Sequence, residues 1–353
     1  MSEKEKKQRT VRLPNVFEAL LPIVVMLGLM LYHFMAGTSY GDAHMPLLVS
    51  IVVACIIGCI CGHSFSDMMA GMLDCLNRTM EAILILCTVG ILVASFIMSG
   101  TIPALIYYGL DLLTPKLFLP VGCILCAVVG LACGSSWTTT ATIGIAFMGI
   151  GAGLGMPVAL TAGMIISGAY VGDKFSPLSD TTNLAAAVSE TGLFDHVTAM
   201  VSTTAPTFVI ALVLYTIIGF GYSTTGYDNT VALELQQALA GGYNLNPVLL
   251  LPIVVVVVVC VLKLPALPGL AISVGCGVLF GAVFQGITNV SDIFNILHYG
   301  TTFESSNELA NNLLSRGGMD HQMWTINLIL LAVAYGGALE RCGCVETLFS
   351  GIK

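Results

Sequence analysis

Two polar runs interrupt a sequence that is otherwise almost entirely apolar. The stretch 117–172 carries no charged side chain, yet it contains the first run, Gly134–Thr140. The second run, Gly172–Asn183, begins where that stretch ends. Together they supply carboxylates, hydroxyls and an amide, which are the oxygen ligands that a small hard cation prefers. Because unpaired polar groups are costly in lipid, we expect both runs to lie inside the protein or beside a water-filled cavity.

The second run holds the strongest candidates for an ion site. A carboxylate that binds either Na⁺ or a proton couples the two ions by competition, and burial makes proton uptake easier. Asp180 is the first choice for this group, and Asp173 is the second because adjacent Lys174 could hold it ionised. The hypothetical Na⁺ site consists of Asp180, Asp173 and Asn183, with Ser179, Thr181 and Thr182 as further candidate ligands. The same residues are also typical of a charged loop at the membrane surface, where Ser179 or Asp180 caps a helix.

The first run is rich in hydroxyl groups. A helix that breaks here would direct hydroxyls and free backbone groups at a bound ion or anion. The candidate binding residues are Ser135, Ser136, Thr138 and Thr139. In the alternative interpretation, these hydroxyls hydrogen-bond back to their own helix, which is common in membranes.

The composition is that of a polytopic membrane protein. The chain is 56% hydrophobic and 9% charged, with a mean hydropathy of +0.93. Basic residues are few, so a nucleic-acid partner has no support. Most of the 12 cysteines lie in apolar segments, where a free cysteine behaves as a small hydrophobe. Cys123 and Cys126 have metal-like spacing but no neighbouring histidine, so we expect them to pack.

Apolar segments predict the elements that must position these side chains. The predicted spans are Val16–Ala36, Met45–Gly62, Met80–Ser99, Leu117–Cys133, Ala141–Leu154, Pro157–Val171, His196–Phe220, Asn246–Leu262, Leu267–Gly286 and Gln322–Glu340. Several are too short to cross a bilayer alone. We expect Ile102–Leu113 to be a short or re-entrant helix, and Ala141–Leu154 with Pro157–Val171 to form half-helices or a hairpin.

An internal repeat organises the chain. Residues 20–25 recur letter for letter as residues 250–255, and similar spans follow each copy. Lysines and arginines near the start place the N-terminus in the cytoplasm, and the acidic loop 223–245 falls outside. The two copies therefore have opposite orientations. We expect a cytoplasmic tail at 1–15, a first transmembrane repeat at 16–222 and an incomplete second repeat at 246–353. Because the second copy has no counterpart of either polar run, we expect a C-terminally truncated transporter.

The glycine-rich stretch Gly149–Gly155 superficially resembles a phosphate-binding loop. It lacks the accompanying strand and lysine, so close helix packing through Gly149/Gly153 and Gly151/Gly155 is the better interpretation. An intramembrane hydrolase using Ser135 or Ser136 with His196 is an alternative of another class. The chain has no Gly-x-Ser-x-Gly motif, so we do not expect an enzyme.

Several motifs resemble the NhaC-type sodium/proton antiporter family. They are Gly134–Gly144, Met148–Pro157, the run Gly-Asp-Lys-Phe-Ser-Pro-Leu-Ser-Asp-Thr-Thr-Asn-Leu-Ala within Ala162–Ala185, Ser315–Met319 and Tyr335–Glu340. The resemblance implies a secondary transporter of the bacterial or archaeal inner membrane, within a superfamily associated with inverted repeats and re-entrant hairpins. It also implies that family members continue beyond the end of this chain.

The resulting expectation is an all-α polytopic membrane protein with an inverted-topology repeat and with broken helices or re-entrant hairpins near the bilayer midplane. It exchanges Na⁺ for H⁺ by alternating access. Because the resembled family includes exchangers that couple Na⁺ to malate and lactate, a Na⁺-coupled organic-acid exchanger is the alternative. No cofactor is expected beyond the transported ions. A small carboxylate and a second copy of the chain are further candidate partners, besides the lipid bilayer.

Overall fold

The regular elements in the described part of the chain are all helical. A computed structural model describes residues 11–37, 43–177, 179, 181–182, 185–186, 189–224, 229–262 and 264–350. The helices up to the second polar run are α1 (Val16–Met35), α2 (His44–Ile60), α3 (Phe65–Met98), α4 (Thr101–Leu112), α5 (Pro115–Cys133), α6 (Ser136–Thr139), α7 (Ile145–Gly153) and α8 (Val158–Phe175). A π-helical turn, Thr140–Gly144, joins α6 to α7.

The later helices are α9 (Leu193–Thr224), α10 (Asn229–Gly242), α11 (Leu251–Val261), α12 (Ala266–Phe284), α13 (Val290–Tyr299), α14 (Glu308–Leu314), α15 (Met323–Arg341) and α16 (Cys344–Ser350). Short 3₁₀ turns, Pro247–Leu250 and Asp320–Gln322, precede α11 and α15.

Six helical segments of the described ranges are long and apolar enough to cross a membrane. They are Val16–Met35, Phe65–Met98, Pro115–Ala132, Leu193–Tyr222, Ala266–Phe284 and Asp320–Arg341. A seventh span is possible if Thr230–Gly242 and Pro247–Val259, which bend by 100° at their junction, cross as one. The predicted all-α polytopic fold is confirmed. The inverted repeat and the domain boundaries derived from it stay predictions.

Helix α3 begins well before the predicted Met80. Its start is fixed by a reciprocal cap, in which Ser64 N donates to Asp67 Oδ2 over 3.0 Å and Asp67 N donates to Ser64 Oγ over 3.1 Å. Two such bonds satisfy backbone donors that a helix leaves unpaired at its first turn. Charged residues in this first part lowered its hydropathy, so the helix extends beyond its apolar portion. The predicted start of this span is therefore wrong.

The first compact unit comprises Met1–Leu86 and Gln322–Lys353. Helix α2 packs against α1 and α15, and α16 packs against α1. Asn15 caps α1 by accepting from Glu18 N, while Glu18 accepts from Asn15 N and forms an ion pair with Arg12. The core of this unit includes Ala54, Met68 and several cysteines.

The second unit, Cys87–His321, contains both polar runs. Residues 101–112 form the short helix α4, as predicted. Gly149 and Gly153 lie against Ile106 and Leu110 of α4, which confirms the packing interpretation for that glycine pair. Gly155 differs from the prediction: it has φ +69°, and a Cβ there would meet nothing within 4 Å, so it forms the turn into α8.

Candidate functional site

The site is positioned by two parallel helices whose backbones approach closely. Positions along α5 meet positions along α8 in the same order: Gly122 with Met164, Cys126 with Gly168, and Gly130 with Gly172. A Cβ on Gly130 would lie 2.7 Å from the carbonyl oxygen of Ala169, and one on Gly172 would collide with that of Ala127. Small residues at such positions let membrane helices pack backbone to backbone. Consequently the C-terminal ends of α5 and α8 lie side by side.

The segment formed by the π-helical turn and α7 runs antiparallel to α8. Gly151 lies against Thr161, whereas Gly144, earlier in the chain, lies against Ile165 further along α8. The predicted hairpin of Ala141–Leu154 with Pro157–Val171 is therefore present. Helix α6, which precedes this hairpin, begins beside the ends of α5 and α8, so three helix ends meet at the first polar run.

The first polar run breaks the helix at Gly134 and Ser135, as its composition predicted. Gly134 has φ 62°, the left-handed conformation that glycine adopts without strain. Ser135 is extended, and its Oγ accepts from Thr138 N over 3.2 Å and from Thr138 Oγ1 over 3.1 Å. Ser135 is therefore the N-cap of the helix that follows.

The break in the helix places Ser136 next to Asp173. Ser136 Oγ donates to Asp173 Oδ2 over 3.1 Å, and the two side chains are only 4% and 6% exposed. Asp173 Oδ1 is buried and has no hydrogen-bond partner among the described residues. The Lys174 side chain is exposed and forms no ion pair with Asp173 among the described residues, so the pairing that the sequence suggested is not observed. An uncompensated carboxylate oxygen is thus enclosed in the protein.

Residues of the second polar run surround the end of α8. Thr182 Oγ1 lies 3.4 Å from the carbonyl oxygens of both Asp173 and Lys174. Ser179 Oγ is 2.9 Å from Thr181 Oγ1 and accepts from Thr182 N over 3.3 Å. Carbonyl, hydroxyl and carboxylate oxygens are thereby gathered at one helix end. Two predicted ligands, Asp180 and Asn183, lie outside the described residues.

Most threonines of the first run bond back to their own helix. Thr139 Oγ1 donates to Ser135 O over 2.9 Å, and Thr140 Oγ1 donates to Ser136 O over 2.8 Å. This arrangement is the alternative predicted from the sequence, in which the hydroxyls hydrogen-bond back to their own helix. Both hydroxyl groups therefore donate to backbone carbonyls. Each oxygen keeps lone pairs that can still accept a hydrogen bond or bind a cation. Ser136 is the member of the run that contacts a carboxylate of the second run.

Sequence reasoning did not predict the contact between Ser136 and Asp173 or the π-helical turn that follows. The paired glycines at positions 130 and 172 were the available signal, because they mark where α5 and α8 approach. The turn Thr140–Gly144 had no comparable signal. Such turns often accompany functional sites in helical proteins.

Comparison with known proteins indicates a family. Residues 168–353 match the model of the Na⁺/H⁺ antiporter family. A malate-2H⁺/Na⁺-lactate antiporter of Bacillus subtilis is 35% identical over 97% of this chain and 72% of its own length. The chain belongs to the Na⁺/H⁺ antiporter family. The family resemblance stated from the motifs is therefore confirmed.

Other relatives of this Na⁺/H⁺ antiporter family member carry different names. The Na⁺/H⁺ antiporter NhaC of Alkalihalophilus pseudofirmus is 36% identical over 88% of this chain and 67% of its own length. The arginine/ornithine antiporter ArcD of Halobacterium salinarum is 39% identical over 95% of this chain and 69% of its own length. No solved structure matches. Membership implies a multi-pass membrane transporter rather than an enzyme.

Proposed function

We propose that this protein exchanges Na⁺ for H⁺ across the bacterial inner membrane by alternating access, with Asp173 as the group that both ions share. The observation that carries the proposal is the buried Asp173 Oδ1, which has no hydrogen-bond partner among the described residues while Oδ2 accepts from Ser136. A buried carboxylate oxygen without a partner is stabilised when a proton or a cation joins it.

Two ions can satisfy that oxygen, and they exclude one another. A proton converts the carboxylate into a neutral acid. A sodium ion instead accepts oxygen ligands from Oδ1, the Ser136 hydroxyl and neighbouring backbone carbonyls. Because one oxygen cannot hold both, loading with Na⁺ releases the proton. This competition is the chemical requirement for exchange.

The surrounding backbone favours a cation. The last carbonyls of a helix carry partial negative charge, and α5 and α8 both end beside Asp173. Thr182 Oγ1 lies near two of these carbonyls, those of Asp173 and Lys174, and adds a hydroxyl oxygen. Hydroxyl and carbonyl oxygens with one carboxylate suit a monovalent hard ion. Asp180 and Asn183 remain proposed additional ligands.

A second candidate function is Na⁺-coupled exchange of small organic acids. It is favoured by the relative named as a malate-2H⁺/Na⁺-lactate antiporter. The start of the helix after Ser135 presents backbone N–H groups, which are suited to a carboxylate ligand. In this alternative Asp173 would still bind the ion, and residues 134–140 would bind the organic anion.

The orientation and assembly are also proposed. The basic residues near the start favour a cytoplasmic N-terminus by the positive-inside rule. Opposite orientation of the two copies of residues 20–25 would give the inverted repeat that alternating access commonly uses. The homodimer stays a prediction.

Transport by proteoliposomes that contain a trapped pH dye tests the proposal. Sodium, lithium, potassium, malate and lactate are added singly and then in pairs of sodium with one organic acid. The proposal predicts a change of internal pH with sodium alone. A response that requires malate or lactate would replace it with the organic-acid alternative. Liposomes without protein measure the passive leak.

A further inference from the structure

A second buried cluster, unrelated to the ion site, lies at the turn between α15 and α16. Cys342 and Cys344 are fully buried, and their Sγ atoms lie 3.0 Å apart and share a hydrogen bond. Gly343 between them has φ +78°, the left-handed conformation that glycine adopts readily. This turn holds two thiols in direct contact. Both cysteines are free.

An unpaired phenol hydroxyl accompanies the thiol pair. Tyr335 is 7% exposed, and its OH is buried without a hydrogen-bond partner among the described residues. The side chain belongs to the same buried cluster as the two cysteines. Leaving a buried donor unpaired is unfavourable. A negatively charged sulfur would provide the acceptor that the neutral thiols supply poorly.

We propose that Cys342 and Cys344 form a reversible dithiol–disulfide site that reacts with hydroperoxides, with Tyr335 as the positioning residue that stabilises the reactive thiolate. A metal site is a weaker reading, because no three His, Cys, Asp or Glu side chains in the described ranges are grouped to hold a metal ion. The short distance between the sulfurs also suits direct bonding between them.

The reaction is balanced with a hydroperoxide as oxidant. The Cys342 thiolate attacks one peroxide oxygen, the O–O bond breaks, and the leaving oxygen takes up a proton to give water or an alcohol. The resulting sulfenic acid is attacked by the Cys344 sulfur, so that the S–S bond forms, the S–O bond breaks and water leaves. The two cysteines lose two electrons and the peroxide gains them. A thiol reductant reverses the change by exchange.

The hydrogen bond between the two sulfurs favours the Cys342 thiolate, which the first step requires. Burial alone raises the pKa of a thiol, but a thiolate that accepts a hydrogen bond from its neighbour is stabilised. The pKa of Cys342 is therefore lowered by its contact with Cys344, whereas the pKa of Cys344 is raised by the same contact. The charge pattern assigns this end of α15 to the cytoplasm, where disulfides are typically transient and used in sensing.

Oxidation would act on the contacts of α16. Thr347 Oγ1 donates to Pro14 O over 3.0 Å, and Gly343 lies against Leu13, so the turn is packed against the segment that enters α1. Closing the disulfide would draw the two sulfurs together and restrain this turn. The expected site of regulation is therefore the junction of α1 and α16, in the first compact unit.

Peptide mass spectrometry of the purified protein tests the proposal. The protein is treated with hydrogen peroxide, denatured, alkylated with N-ethylmaleimide and digested. We expect Cys342 and Cys344 to lose alkylation together and to regain it after dithiothreitol. Cys123 and Cys126, two buried free cysteines of α5, serve as the internal control and should stay alkylated. Full alkylation of the Cys342–Cys344 peptide, under peroxide that oxidises free cysteine in the same tube, would overturn the proposal.

Two variants separate the steps. Cys344→Ser cannot close the disulfide, so Cys342 should accumulate as a sulfenic acid that dimedone traps; the absence of a dimedone adduct would refute the assignment of Cys342. Tyr335→Phe keeps the ring and removes the hydroxyl. It should slow the peroxide reaction about tenfold near neutral pH and shift its rate–pH profile upward by about one unit. An unchanged profile would remove Tyr335 from the site.

Discussion

Replacing Asp173 with asparagine removes the charge at the proposed ion site while almost preserving its shape. At 6% exposure the carboxylate is weakly screened by water. A unit charge about 4 Å away interacts with it by about 4 kcal/mol at an effective dielectric constant of about 20, which corresponds to about a thousandfold in affinity. Asparagine also has no proton to exchange. We therefore expect Asp173→Asn to bind Na⁺ too weakly for transport and to lose Na⁺/H⁺ exchange.

The stability of the variant gives an independent readout. Without Na⁺ the proposed site holds a proton, so asparagine, a neutral group of nearly the same shape, should change the free energy of unfolding little in Na⁺-free buffer. Sodium at about ten times its Kd should stabilise the unmodified protein by about 1.4 kcal/mol, and Asp173→Asn by almost nothing. Thermal unfolding with and without Na⁺ measures both effects.

Exchange by Asp173→Asn is measured in the proteoliposome assay. Asp292→Asn is the matched control, because it makes the same chemical change at an exposed position in the first turn of α13. The control should retain both exchange and Na⁺-dependent stabilisation. Normal exchange by Asp173→Asn would refute the reasoning outright. Loss of exchange with unchanged Na⁺-dependent stabilisation would show that the ion binds elsewhere.

Three further predictions concern the proposed ion site and the helices that form it. Ser136→Ala removes a hydroxyl that contacts the carboxylate, so it should raise the apparent Na⁺ dissociation constant about tenfold. Thr139→Val should raise that constant less, because the Thr139 hydroxyl bonds to Ser135 O. Equal effects of the two variants in a Na⁺ titration would argue against this ranking. Asp180→Asn should also abolish Na⁺-dependent exchange without reducing expression, and normal exchange would exclude Asp180 from the site. Gly172→Ala should lower the free energy of unfolding by about 1–3 kcal/mol, because its Cβ would strike the α5 backbone. Gly275→Ala is the control and should not lower it, because a Cβ there meets open space. Comparable thermal stability of the two variants would contradict the close approach of α5 and α8.

The helical architecture could be predicted from the sequence because long apolar runs identify membrane helices. The break at Gly134 was also predictable, since hydroxyl groups in an uncharged stretch require partners. The start of α3 was not, because Asp67 and other charged residues hid a helix that extends beyond its apolar part. The Ser64–Asp67 cap was the local signal that could have located it.

The site itself depended on packing that local patterns do not encode. Ser136 and Asp173 are far apart in sequence, and their contact requires α5 and α8 to run parallel with glycines facing each other. Sequence reasoning ranked Asp180 first because hydroxyls flank it. The geometry gives a specific argument for Asp173, which is its enclosed Oδ1 without a hydrogen-bond partner among the described residues. Neighbouring residue types alone could not reveal that oxygen.

The most direct measurement is proton release when Na⁺ binds to the purified protein in weakly buffered detergent solution. The shared-site account predicts that adding NaCl releases protons from the unmodified protein and that Asp173→Asn releases far fewer. Choline chloride at the same ionic strength should release none beyond the ionic-strength effect. Sodium binding that is detected calorimetrically without proton release would contradict the claim that one carboxylate serves both ions.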